Sequence, residues 1–153
     1  MAASFSDQLR AEAAAIDNAL KDTVRVVAIE CFGGVIMGTP VGNPSLWQSP
    51  APPGYTGGTA RANWQLTNGA PAQGEVAATD GGTATRSAVT SEIPRLQYTG
   101  KYTLANNVPY IEKLEDGTGS TQAPQGMVKL NVARVEPMIP RIYQAALRRN
   151  GVS

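Results

Sequence analysis

Carboxylates gather at one place in the chain, Glu112, Glu115 and Asp116. Paired carboxylates can exchange protons with a substrate or hold a hard cation. Their spacing matches no calcium loop, and Lys113 interleaves them as on a solvated helix face. Next comes Gly117-Thr-Gly119-Ser-Thr121, with the composition of a phosphate-cradling loop. It lacks the Gly-Lys-Ser/Thr ending of such loops, and the preceding acids would repel an anion. The chain has no histidine and one cysteine. Those counts exclude imidazole acid–base catalysis, Ser-His-Asp and Cys-His nucleophiles, zinc sites built from His or several Cys, and an internal disulfide. Cys31 falls on an apolar helical stripe and reads as a buried, inert thiol. Asn43-Pro44-Ser45 is no glycosylation acceptor, because proline sits in the middle. No metal and no cofactor is expected. Two alternatives stay open: a small cytoplasmic enzyme or nucleotide-binding domain using Glu112, Glu115 and Asp116, and a regulator that binds a host factor.

Charge narrows the partners. Thirteen basic and twelve acidic residues leave a net charge of +1 on 153 residues, which argues against a domain held to nucleic acid by phosphate contacts. The one local bias is C-terminal: from Lys129 to Arg149 five basic residues face only Glu136. Part of that is ordinary complement to a helix dipole, with Arg148 and Arg149 in the last turn. Met1–Asp7 has neither a basic nor an apolar signal-peptide region, and the Cys31–Val41 run is too short to span a bilayer. No membrane contact is expected. Gly34 and Gly38 form a GxxxG spacing that here predicts close backbone packing.

Four stretches must position these residues in one α+β domain. Residues 1–38 read as a long helix capped by Ser4 or Ser6, with Leu9, Ala13, Ile16, Leu20, Val24, Val27 and Cys31 on one stripe, fading through Gly33-Gly34 and stopping by Thr39-Pro40. Residues 39–62 read as an extended Pro/Gly-rich arm. Its Leu46, Trp47 and Tyr55 would leave apolar area in water at about 25 cal/mol per Å² unless it docks onto something. Residues 63–106 read as a small, mainly antiparallel sheet, with strands at 63–67, around 75–79 and at 97–106, and a short helix at 83–93. Residues 107–150 read as C-terminal helices, the last broken at Pro137 and Pro140. The N- and C-terminal helices are expected to pack on the sheet.

The residues from Tyr102 onward carry a resemblance. Tyr102-Thr-Leu-Ala-Asn-Asn107, Pro109-Tyr110-Ile111, Leu114-Glu115 and Gln122-Ala-Pro-Gln-Gly-Met-Val128 resemble the signature of a tailed-phage neck or tail-completion family that includes minor tail proteins of the lambda Z type. Upstream, Gly58-Thr-Ala-Arg61-Ala-Asn-Trp64 is similar to that family's Gly-x-Leu-Arg-x-Ser-Trp segment. The chain departs from the pattern at Asp116, where an aromatic is usual, at Ala60 for leucine, at Thr121 for lysine, and in the proline-rich arm and the Pro137/Pro140 pair. The resemblance implies a non-enzymatic virion protein that joins head connector to tail, present in the host cytoplasm during assembly. It implies a homo-oligomeric ring, hexameric or dodecameric, between portal-side proteins and the tail terminator or tube. DNA would pass through the lumen without specific binding. Neighbour contacts are expected at Leu46, Trp47, Tyr55, Asn106, Asn107, Pro109 and Tyr110.

Overall fold

A computed structural model describes residues 3–152. Helix α1 spans Phe5–Gly38, roughly 51 Å at 1.5 Å per residue. It starts where Ser4 Oγ accepts the Asp7 N–H at 3.2 Å, and ends at Thr39, whose extended backbone leaves the helix while its hydroxyl donates to Val35 O at 2.8 Å. α2 (Thr59–Ala62) leads into β1 (Gln65–Thr67), α3 (Ala84–Glu92), β2 (Thr103–Ala105), α4 (Ile111–Glu115), α5 (Val128–Val135) and α6 (Ile139–Arg149). One-turn 3₁₀ segments lie at Pro44–Leu46 and Glu136–Met138.

The fold is mixed helix with a two-stranded antiparallel sheet, Leu66 opposite Leu104 at its centre. The principal packing is helix on helix. α5 and α6 run back along α1 in the opposite sense: Met127 lies beside Gly38, Asn131 beside Gly34, Arg134 reaches Glu30, and Asn150 reaches Asp22. The 3₁₀ turn holding Pro137 joins the two helices, and Pro140 sits in the first turn of α6, where its missing N–H costs nothing.

α1 does not fade at Gly33-Gly34, because both glycines are enclosed. A Cβ on Gly33 would lie 3.4 Å from Arg86 and Thr90 of α3, and one on Gly34 would lie 2.7 Å from Arg134 Nη2 and 2.8 Å from Asn131 Cγ of α5. Small residues thus let two helices close on adjacent sides of α1. The expected apolar stripe is only partly the buried face. Leu9, Ala13 and Leu20 are exposed, whereas Ala19, Thr23, Ala28, Gly33, Val35 and Ile36 are buried. The main core gathers Ile36, Trp64, Val89, Ile93, Val108, Leu114 and Met127, with Cys31, Leu66, Tyr102 and Leu104 packed against it.

The expected strand at 75–79 is absent, and an asparagine side chain replaces it. Fully buried Asn63 donates to Thr59 O at 2.9 Å and Val76 O at 3.0 Å, and accepts from Val76 N at 2.6 Å. Those bonds satisfy the backbone that a ladder would otherwise satisfy. Of the run 97–106 only Thr103–Ala105 pairs, because β1 offers three residues.

Candidate functional site

The segment expected as an extended arm folds on itself instead. Asn43 Oδ1 accepts from Ser45 N at 3.1 Å and starts the turn that Pro44 favours. Trp47 and Tyr55 then meet with ring centroids 4.9 Å apart and planes 50° apart. They close over Gly42, where a Cβ would lie 3.1 Å from Tyr55 Cζ and 3.3 Å from Trp47 Cζ2. Gly57, at φ +75°, brings the far end of the segment back beside Val41 and Gly42. Residues 42–57 therefore form a closed, Ω-type loop. Its tip stays in water: Leu46 is 72% exposed and Trp47 42%.

Between this loop and the turn after α4 lies a groove of about 750 Å³. Leu46, Trp47 and Tyr55 line one side, and Tyr110, Lys113 and residues 117–122 the other. Gln122 Nε2 donates to Val41 O at 3.2 Å and ties the two walls together. Burial, followed by the nearby Tyr55 and Glu75, raises the Tyr110 pKa, so its hydroxyl stays a neutral donor. Four of the residues expected at a neighbour contact, Leu46, Trp47, Tyr55 and Tyr110, thus share one groove. Pro109 is exposed just before it. Asn106 and Asn107 use their amides within the chain: Asn106 donates to Ala60 O at 2.7 Å, and Asn107 to Ala72 O at 2.9 Å and Gly74 O at 3.0 Å.

The acidic cluster does not converge on a common point of chemistry. Glu115 accepts the N–H groups of Met127 and Val128 at 2.8 Å and of Lys129 at 3.0 Å, and so caps α5 from twelve or more residues away. Gly126, at φ +77°, makes room, since a Cβ there would lie 2.9 Å from the Glu115 carboxyl. Burial pushes the Glu115 pKa up, but the bonds from Lys129, Val128 and Met127, with the Lys129 charge, outweigh it and hold the carboxyl below its ordinary value. Glu112 and Asp116 stay exposed. The Gly117-Thr-Gly119 segment closes the end of α4: Thr118 N and Gly119 N donate to Lys113 O at 3.1 and 2.8 Å, so neither N–H is offered to an anion. Cys31 is half-buried, and burial raises its pKa more than Arg134 lowers it. No group of three or more His, Cys, Asp or Glu residues among those described could hold a metal ion. No helix among them is long and apolar enough to cross a membrane.

The residues that position the groove carry no sequence motif for chemistry. Arg61 closes the C-terminus of α1, donating from Nη2 to Thr39 O at 2.9 Å and Met37 O at 3.2 Å, and from Nη1 to Gly82 O at 3.0 Å. α1 has no basic residue in its own last turn, and Arg61 supplies that charge from outside. Trp64 Nε1 donates to the buried Thr39 hydroxyl at 2.7 Å. Asp80 accepts from Thr85 N and Gly82 N, both at 2.8 Å. The Thr85 bond first, and then Gly82 against opposing burial, holds its pKa below the usual value. Its backbone meets Gly58, where a Cβ would lie 2.6 Å from Asp80 C. The Arg61 and Trp64 of the upstream segment therefore fasten the point where α1 gives way to the loop. Compared with protein-family models, curated proteins and solved structures, the chain matches none of them.

Proposed function

We propose that this chain is a structural subunit of a tailed-phage virion, forming the collar that joins head connector to tail. The reading draws on the ordered residue pattern from Tyr102 to Val128, together with the lack of histidine. One observation carries it: the groove wall formed by Leu46, Trp47 and Tyr55 ends in apolar side chains that this chain leaves in water. Apolar groups standing beside a preformed groove mark a contact surface. The acid cluster gives the enzyme alternative little support, since Glu115 is occupied with three backbone N–H groups.

In the collar, each copy offers one surface to a neighbour and receives a different one. Such a contact repeats until the rotation closes, as a hexamer or dodecamer. The 42–57 loop lies against a neighbour or an adjoining connector or tail protein and buries Leu46 and Trp47. A chain of net charge +1 grips passing DNA weakly, so a genome can slide through the lumen. Mass spectrometry of purified particles of the phage that encodes the chain tests this. A fixed copy number at the head–tail junction is expected, and a mature particle lacking the chain would overturn the proposal.

A further inference from the structure

α1 overshoots the rest of the molecule. At the end of α6, Asn150 Nδ2 donates to Asp22 Oδ2 at 3.1 Å, and Ala19 is the first buried residue of α1. Residues 5–18, roughly 20 Å of helix at 1.5 Å per residue, therefore run past that turn, all exposed except the half-buried Ala15 and Ile16. Phe5, Leu9, Ala13 and Ile16 share one face of this stretch, which Leu20 continues, with Phe5 80% and Leu9 57% exposed. Glu12 and Asp17 flank that face; Asp7 pairs with Arg10 at 3.5 Å and Asp17 with Lys21 at 2.6 Å, so Glu12 is the acid of the overhang with no ion pair among the described residues. Packing of an apolar face is the main source of helix stability in proteins, and this chain leaves Phe5 and Leu9 uncovered.

A second surface has the complementary character. Val26 of α1 and Ile142 and Ala145 of α6 floor an open depression of about 650 Å³, rimmed by Arg141, Arg148 and Arg149. Among the described residues none of these arginines is in an ion pair. α1 is one unbroken helix, so a copy cannot lay its own overhang into its own depression.

We infer that the 5–18 overhang of one copy docks, apolar face down, into the α1–α6 depression of the next, with Glu12 against the arginine rim. Apolar character and opposite charge select a second copy of this chain. The two surfaces differ, so the contact is heterologous and propagates around a ring. This deepens the collar reading and rests on it for the identity of the occupant.

Sedimentation velocity of the full chain tests the inference with two variants, Leu9→Glu in the overhang and the pair Arg148→Glu and Arg149→Glu in the rim. Far-UV circular dichroism confirms folding, and Phe5→Ser repeats the overhang arm if Leu9→Glu loses helix. Wild type is expected to assemble, and each variant alone to shift the assembly midpoint by on the order of a hundredfold or more. An equimolar mixture at high concentration should stop at a dimer, because it holds one intact overhang facing one intact groove. Wild-type assembly with both variants unaffected would overturn this inference and leave the collar reading standing. A mixture that stays monomeric beside an assembling wild type would overturn the pairing of these two surfaces. A monomeric wild type would overturn both readings.

Discussion

Replacing Glu115 with alanine removes the acceptor for three backbone N–H groups at the start of α5. The three bonds are unequal. Met127 is 1% exposed, so its N–H has no water to turn to, and losing a charge-assisted bond to a buried donor costs about 1.5–3 kcal/mol. Val128 and Lys129 begin an exposed turn. There water takes over, and the loss is that of an ordinary N-cap, about 0.5–1 kcal/mol. The expected total is about 2–4 kcal/mol, and roughly half that for Glu115→Gln, which keeps an acceptor oxygen but loses the charge. With a urea m-value of about 2 kcal/mol/M, Glu115→Ala should lower the unfolding midpoint by roughly 1–2 M. The effect has a pH signature. The folded carboxyl titrates below its unfolded value, so its contribution is complete above about pH 4.3 and disappears as pH falls through the lowered folded value. Urea titrations of wild type and variant at neutral and acidic pH measure both effects. A midpoint change under about 0.3 M at neutral pH, or a gap that widens in acid, would refute the capping role.

Other substitutions separate the contacts around α1. Gly34→Ala places a methyl 2.7 Å from Arg134 Nη2 and should cost about 1–3 kcal/mol as α5 is pushed away, whereas Gly38→Ala, with its nearest neighbour at 3.6 Å, should be neutral or slightly stabilising; thermal unfolding compares them. Arg61→Lys cannot keep the forked contacts to Thr39, Met37 and Gly82, so amide exchange of residues 36–39 should rise and stability fall by about 1–2 kcal/mol. Thr39→Val leaves the Trp64 indole N–H without its partner and should cost about 1–3 kcal/mol, read by Trp64 fluorescence in a Trp47→Phe background.

The limits of α1 were legible because they are local: Ser4 caps one end, and Pro40 follows the other. The close approach at Gly34 was legible too, since a Cβ there would meet Asn131 and Arg134, whereas Gly38, with its nearest neighbour at 3.6 Å, has room for one. What periodicity could not reveal is which side is covered. Leu9 and Leu20 share a stripe with Val27 and Cys31, yet the body of the molecule reaches only the later ones. The strand at 75–79 failed because Asn63, a residue with no strand preference, takes the partner's place through its side chain. The cap on α5 was hidden for a similar reason. Glu115 reads as one of three surface acids until the chain folds back and sets it beneath Met127. In the groove, Leu46, Trp47, Tyr55 and Tyr110 were marked by being apolar or aromatic in Pro/Gly-rich surroundings. The closure of the loop at Gly42 and Gly57 depends on contacts that no local pattern encodes.

Native mass spectrometry of the purified full-length chain bears most directly on the whole account. A single closed species of defined copy number, lost when Leu46 and Trp47 of the loop or Leu9 of the overhang are made charged, is the predicted spectrum. A chain that flies as a monomer at every concentration, with or without those side chains, would contradict it.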